Sequence, residues 1–110
     1  IMQAIRRHAP DMATSLTAGE AATFIGTLTA GEIFVLPAGA VALQIPPSFG
    51  DIELVTGASV AAAHALGAEI HVWTINDAEE MRRLLALGCD GIMSDFPALA
   101  RSIVAERRHA

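Results

Sequence analysis

Two helix-like segments, each ended by a glycine and followed at once by an apolar strand, constrain the fold of this chain most. The first helix spans residues 56–66 and leads into a strand over 70–75, while the second spans 77–87 and leads into a strand over 91–94. Glycine ends helices because it adopts the left-handed backbone without a steric penalty. Helices and strands that alternate over such short connections predict parallel strands joined by right-handed crossovers.

The first half of the chain repeats this pattern less regularly. Residues 1–8 have the character of the end of a helix, and a weak strand is expected over 12–16. Thr17 and Glu20 stand at the spacing of a capping box and open a helix that precedes a strand over 41–45. The sequence therefore predicts an α/β chain with four parallel strands and the helices that cover them.

Capping residues and charge spacing predict where the other helices begin. Thr56 is a candidate cap for the helix that follows it. Asn76 is expected to cap the next helix, with Glu79 three residues on completing a reciprocal box. Glu79 and Arg83 stand four residues apart, which is the spacing of a helical ion pair. A last helix is expected over 98–107.

The composition favours a chain that packs against something else. Hydrophobic residues make up 53% of the 110 residues and charged residues only 17%, a more apolar balance than a free-standing domain usually has. The chain opens at Ile1 without an initiator methionine, and no signal-like segment follows. We therefore expect a fragment of a larger domain.

The charge pattern argues against nucleic acid and membrane partners. The formal charge is −5, whereas a binder of the phosphate backbone needs a clustered basic face. The arginine pairs at 6–7 and 107–108 are interpreted as solvated helix ends. Glycines and Pro37 interrupt the apolar run over 21–45, so no membrane span is expected. The single cysteine, Cys89, is interpreted as a small buried hydrophobe and fits a reducing cytoplasm.

Four strings resemble the closing segment of the glycerophosphodiester phosphodiesterase family. They stand in family order as ALQIP from Ala42, AAHALG from Ala62, HVWTIN from His71 and GCDGIMSDFP from Gly88. Ser94 replaces the threonine usual in the last string and keeps its hydroxyl. The resemblance is strong over residues 42–100 and weak before them.

This resemblance implies an eight-stranded parallel barrel of the TIM type, with residues 1–110 as its C-terminal half. In the family, two acid/base histidines and the acidic ligands of a divalent metal, Mg²⁺ or Ca²⁺, lie in the first half. Neither an H-R-G nor an E-x-D motif occurs here, so the histidines are not taken as replacements; they are His8, His64, His71 and His109. We therefore expect no catalytic residue and no metal ligand in this chain, and no activity from it alone.

The resemblance also implies two substrate-binding residues. Trp73, near the end of its strand, matches the family tryptophan that lines the glycerol side of the pocket, and Gln44 occupies a comparable place one strand earlier. From the residues alone, Trp73 would be expected to fill the barrel core, and the family string reverses this expectation. Gln44 must find hydrogen-bond partners inside an apolar strand, either in the protein or in a substrate.

Three further residues are interpreted as structural, and a fourth, Phe49, has two interpretations. His71 shares strand parity with Trp73 and is interpreted as a histidine with satisfied hydrogen bonds, either in the interior or at the bottom face of the barrel. Asn76 and Asp95 stand at strand-to-helix junctions, where such residues usually bond backbone amides. Phe49 either touches the head group of a substrate or anchors its own loop.

Three functions fit these expectations. The first is a share in a metal-dependent enzyme of lipid and glycerol metabolism that hydrolyses glycerophosphodiesters to glycerol 3-phosphate and an alcohol. The N-terminal half of the barrel would then be the partner. The second is a non-catalytic half-barrel that pairs with a second copy of itself through exposed strand edges. The third is half of another phosphate-binding barrel enzyme, because a fold does not fix its chemistry.

Overall fold

The computed structural model describes residues 1–9 and 11–108 as five helices and six strands. The helices are α1 (Met2–His8), α2 (Ala18–Ala30), α3 (Gly57–Ala65), α4 (Ala78–Leu87) and α5 (Pro97–Arg108). The strands are β1 (Thr14–Ser15), β2 (Ala40–Ile45), β3 (Ser48–Phe49), β4 (Ile52–Glu53), β5 (Glu69–Val72) and β6 (Gly91–Ile92). His109, excluded above from catalysis, lies outside the described residues.

Four of the strands form one parallel sheet in the order β1-β2-β5-β6. Each neighbouring pair is parallel, and the helices α2, α3 and α4 lie in sequence between the strands. The predicted α/β class with four parallel strands and accompanying helices is therefore confirmed. The strands are shorter than expected: β1 and β6 have two residues each.

The two faces of the sheet differ because side chains alternate along a strand. One face carries Leu43, Ile70 and Val72, each with no exposed surface, and these residues form the core with the helices. The opposite face carries Gln44, which is exposed, and His71, which is half-buried. The smaller residues of β2 on this face, Ala40 and Ala42, are buried, so the face is open at the end that carries Gln44 and His71.

Local capping signals were right for two helices and wrong for the third. Thr17 and Glu20 form the predicted capping box at α2, and Thr56 caps α3 by accepting from the backbone of Ser59. At α4, however, the cap is Asp77, whose carboxylate accepts from the Glu80 amide at 2.9 Å. Asn76 is not the cap, because its side chain is bonded elsewhere.

The predicted ion pair on α4 is also wrong by one residue. Arg83 pairs with Glu80, three residues before it, through a bond of 2.9 Å from Nε to Oε2. The bond from Arg83 is the main reason that the pKa of Glu80 lies below its ordinary value. Spacings of three and four residues both place side chains on one helix face. From the sequence alone, Glu79 and Glu80 are therefore both possible partners of Arg83.

A short hairpin follows β2 where only a loop was expected. Strands β3 and β4 pair antiparallel, with Gly50 and Asp51 in the turn between them. Gly50 has φ +59, a backbone conformation that glycine adopts freely. The amides of Leu54 and Val55 both donate to the Pro47 carbonyl and close the base of the hairpin.

The interpretation of both arginine pairs as solvated helix ends is wrong for Arg6. Its guanidinium donates to Glu20 on α2, to the Ser15 carbonyl and to the Thr14 hydroxyl, and its side chain is only 10% exposed. Its neighbour Arg7 is exposed, as expected. Arg6 therefore joins α1 to β1 and to α2.

In the part of the chain that the structure describes, no helix has both the length and the apolar composition that crossing a bilayer requires.

Asp90 ties the start of β6 to β5 and to α3. Its Oδ2 accepts from the Ile70 amide at 2.8 Å and lies 2.8 Å from Nε2 of His64. Burial acts to raise the pKa of Asp90, but the bonds from Ile70 and His64 outweigh burial, and the pKa lies below its ordinary value. The carboxylate form is therefore stabilised by the fold.

We expect Asp90→Ala to lower the free energy of unfolding at pH 7 by about 2 kcal/mol, because a charged acceptor is lost and a buried amide is left without its partner. A lowered folded-state pKa stabilises the fold above the unfolded value of about 3.9, and that stabilisation disappears as the pH falls through the folded value. The difference between the wild-type chain and the variant should therefore shrink on acidification. Urea unfolding at several pH values measures it.

Asp51→Ala is the matched control, because Asp51 is exposed in the hairpin turn. Its effect should stay within about 0.5 kcal/mol. An Asp90 effect no larger than the Asp51 effect, or one independent of pH, would show that these bonds contribute nothing to stability.

Candidate functional site

The candidate site lies where β2, β5 and β6 end, because active sites of parallel barrels form at the carboxyl ends of the strands. Trp73 follows β5 directly, and its amide donates to the Ile45 carbonyl at 3.2 Å. The Ile75 amide donates to the Met93 carbonyl at 2.9 Å, so the segments that follow β5 and β6 stay paired beyond the strands. The Trp73 residue is 43% exposed, which places it at the rim rather than in the core.

Gln44 lies one step below this rim on the exposed face of the sheet. It is in register with His71 on the neighbouring strand, and its Nε2 lies 3.3 Å from Nδ1 of His71. The other ring nitrogen of His71 lies 2.8 Å from Oε1 of Glu69. The interpretation of His71 as a histidine with satisfied hydrogen bonds is thus confirmed, and Gln44 has a protein partner.

Space for the His71 ring comes from Gly91 on β6. His71 and Gly91 are in register, and a Cβ built at Gly91 would lie 3.1 Å from Cδ2 of the imidazole. Any larger residue there would push against the ring. The three strands therefore form one layer in which an amide, an imidazole and a glycine stand side by side.

Asn76 locks the two loops that follow β5 and β6. Its Oδ1 accepts from the Asp95 amide at 2.9 Å and from the Ser94 hydroxyl at 3.0 Å. Its Nδ2 donates to the Asp95 carboxylate at 3.0 Å. The expectation that Asn76 serves backbone structure at this junction is confirmed, although its partner lies in the neighbouring loop and not in its own helix.

Exposed apolar side chains lie in the segments that follow β2 and β6. Phe49 is 74% exposed and Ile52 59% exposed on the hairpin, and Phe96 is 55% exposed after β6. Phe49 does not anchor its loop, because most of its ring is free of packing. No local pattern distinguishes Ile52 or Phe96, since each is a single apolar residue in a polar turn.

The described residues do not provide a metal site. Nowhere in ranges 1–9 and 11–108 do three or more His, Cys, Asp or Glu side chains come close enough to hold one ion. The donor set therefore does not fit the divalent metal that the family resemblance implies. Burial raises the pKa of the Cys89 thiol, with a further rise from the Asp90 charge, so Cys89 is not an activated nucleophile.

A groove of about 610 Å³ lies elsewhere, between α1, the start of α2 and residues 34–37. Neither Trp73 nor Gln44 is among its lining residues. Trp73 and Gln44 are both exposed, so the strand ends form an open wall in the described part of the chain.

Comparison with known proteins finds matches to a family model, a curated relative and a solved structure. The model of the "Glycerophosphoryl diester phosphodiesterase family" matches residues 2–99. A Mycobacterium tuberculosis protein named "Probable glycerophosphodiester phosphodiesterase 2" is 34% identical over 65 residues, which are 59% of this chain and 25% of that protein.

A solved structure is similar over nearly the whole chain. It is the crystal structure of a Silicibacter pomeroyi protein described as "Putative glycerophosphoryl diester phosphodiesterase", with a TM-score of 0.63 and 26% identity. The match covers 97% of this chain and 35% of that protein. The chain thus spans about a quarter to a third of the length of these relatives.

Proposed function

The chain belongs to the glycerophosphoryl diester phosphodiesterase family, and from that membership we propose that residues 1–110 form the C-terminal half of a barrel enzyme. The enzyme would hydrolyse glycerophosphodiesters to glycerol 3-phosphate and an alcohol. The observation that carries the proposal is the open sheet face with Trp73 at its strand-end rim. Four parallel strands are half of the eight that such a barrel needs.

In this proposal the other half of the barrel covers the open sheet face. It also supplies what the chemistry requires: a cation for the phosphoryl oxygens, an activated nucleophile and a proton for the departing alkoxide. The cation would be Mg²⁺ or Ca²⁺, held by residues outside this chain. Products of this kind belong to lipid and glycerol metabolism.

The role proposed for this chain is to hold the substrate. The exposed indole of Trp73 offers a flat apolar surface for the carbon atoms of the glycerol unit. Gln44 offers an amide to the hydroxyl groups of the same unit, one layer below Trp73. Holding the glycerol unit fixes the phosphodiester relative to the groups on the opposite half, which is how positioning lowers a barrier.

A completed barrel is needed to test these roles. It can be made by replacing, in the Silicibacter pomeroyi protein, the segment that this chain matches by residues 1–110. In this completed barrel Trp73→Ala should raise KM for glycerophosphocholine about tenfold, since an aromatic contact of about 1.5 kcal/mol is lost. Steady-state kinetics measure KM and kcat separately.

Ile33→Ala is the control for Trp73→Ala, because Ile33 is also an exposed apolar residue but lies in the segment that leads into β2, before the strand and not at its carboxyl end. Its KM should stay within about twofold of the parent value. An unchanged KM in Trp73→Ala would show that the tryptophan does not contact the substrate.

The second candidate function is a half-barrel that pairs with itself. It is favoured by β1 and β6, the two outer strands of the parallel sheet, since edges of this kind can meet between copies. Two copies would bring eight strands together without catalytic residues. A monomeric mass at micromolar concentration in analytical ultracentrifugation, with a cooperative melt, would count against it.

Two wider assignments are part of the proposal. Half of another phosphate-binding barrel enzyme remains the third candidate, and hydrolysis of other phosphate esters by the completed barrel would favour it. We place the protein in the cytoplasm, which is supported by a cysteine that is buried and has no disulfide partner in the described residues.

A further inference from the structure

Three polar side chains form a hydrogen-bonded row on the open face of the sheet. Glu69 and His71 both point to this face from β5, and Gln44 joins them from β2. The imidazole stands in the middle, with the carboxylate at Nε2 and the amide at Nδ1. The two ring nitrogens of His71 contact different chemical groups, so the donors and acceptors follow one fixed order along the row.

The carboxylate determines which atoms of the row donate hydrogen bonds and which accept them. An ionised carboxylate only accepts hydrogen bonds, so Nε2 of His71 must carry a proton. In the neutral ring Nδ1 then has no proton and is an acceptor. Gln44 must therefore turn its NH₂ group toward His71, which agrees with the contact from Nε2 of Gln44.

The remaining atom of the Gln44 amide is its carbonyl oxygen. Within residues 1–9 and 11–108 the hydrogen bond to His71 is the only one that Gln44 makes through its side chain. Oε1 is thus left as an acceptor on an exposed residue of the open face. A rotated amide would instead offer a donor at this place and break the bond to Nδ1.

From this geometry we propose that His71 is a positioning residue: held by Glu69, it fixes the Gln44 amide so that Oε1 accepts a hydrogen bond from a substrate hydroxyl. The hydroxyl donor as the occupant rests on the function proposed above, whereas the orientation of the amide does not. The row would favour polyol groups, which donate, over groups that only accept.

Gly91 and the neighbouring strands leave little room for another arrangement. The imidazole lies beside Gly91, which brings no polar side chain to the ring. Gln44 is uncharged, so Glu69 is the charged group that is hydrogen-bonded to His71. The side chain of His71 is 25% exposed and that of Glu69 is 63% exposed, so the imidazole is the more sheltered of these two groups.

The direct test is the protonation state of the ring, measured by two-dimensional NMR on the ¹⁵N-histidine-labelled chain at pH 7.5. We expect the neutral ring of His71 to carry its proton on Nε2. In Gln44→Glu, which places an acceptor at each nitrogen, the fraction of rings protonated on both nitrogens should be higher than in the wild-type chain. Gln44→Leu, which has no acceptor, should show no such increase.

His64 is the internal control, because its Nε2 also lies 2.8 Å from a carboxylate, that of Asp90, while Gln44 is not among its hydrogen-bond partners. Its signals should be the same in both Gln44 variants. A His71 proton on Nδ1 in the wild-type chain, or the same protonation of His71 in Gln44→Glu and Gln44→Leu, would overturn the proposal.

The completed barrel tests the use of the row. Gln44→Leu and His71→Phe should each raise KM for glycerophosphocholine about fivefold to tenfold with little change in kcat, and the double variant should do no more. Additive effects would overturn the coupling. If the NMR result holds and neither variant changes KM, the row exists but Gln44 does not bind substrate, so the proposed function of Gln44 fails and the orientation stands.

Discussion

Arg6→Ala is expected to lower the free energy of unfolding by about 3 kcal/mol, because it breaks a largely buried ion pair. The Arg6 guanidinium donates to both carboxylate oxygens of Glu20, at 2.6 and 3.0 Å. It also donates to the Ser15 carbonyl at 3.2 Å. The side chain of Glu20 is only 23% exposed. Removing the guanidinium therefore leaves the Glu20 carboxylate without its main partner.

The loss would spread to the start of α2. Glu20 also accepts from the Thr17 amide in the capping box. The bond from Arg6 is the largest reason that the pKa of Glu20 lies below its ordinary value. A lowered carboxyl pKa stabilises the fold above the unfolded value of about 4.3, and this stabilisation is lost as the pH falls through the folded value. Arg6→Ala should therefore make the unfolding free energy less dependent on pH between about 5 and 3.

Arg7→Ala provides the comparison for Arg6→Ala. Arg7 is the next residue of α1 and is exposed, so its loss should change stability by no more than about 0.5 kcal/mol. Urea unfolding of both variants, followed by circular dichroism, measures the difference. Equal effects of the two substitutions would mean that the Arg6 contacts do not stabilise the fold.

Arg6 also illustrates what the sequence alone could not provide. Two adjacent arginines at a helix end have the same local signature, and their difference arises from Glu20, fourteen residues away. Local signals were sufficient where the partners are local, as in the Thr17 capping box. They failed at α4, because the Asn76 side chain is bonded to Ser94 and Asp95 from the neighbouring loop and leaves capping to Asp77.

The candidate site also has one part that the sequence predicts and another part that the sequence cannot predict. Family strings in the sequence pointed to Trp73 and Gln44, and the strand-end position of Trp73 agrees with the parallel sheet. The row from Glu69 through His71 to Gln44 depends on the register of β2 and β5. The sequence could not supply that register, because it is set by the packing of the opposite, buried face.

The second large effect is the expected difference in catalytic activity between the chain alone and the completed barrel. In the proposed function the chain brings an open sheet face that holds the substrate, and its described residues bring no set of three metal ligands together. Rate enhancements of many orders of magnitude depend on the cation and the acid and base acting together. Activity should thus appear only when the missing strands are present.

Release of glycerol 3-phosphate from glycerophosphocholine is the deciding measurement, made on the purified chain and on the completed barrel. Both proteins must first show a cooperative melt, and the unaltered Silicibacter pomeroyi protein must be active in the same assay. We expect hydrolysis by the completed barrel that stops when EDTA removes the divalent cations, and none by the 110-residue chain. Metal-dependent hydrolysis by the chain alone, or a folded completed barrel without activity, would contradict its assignment as the substrate-holding half.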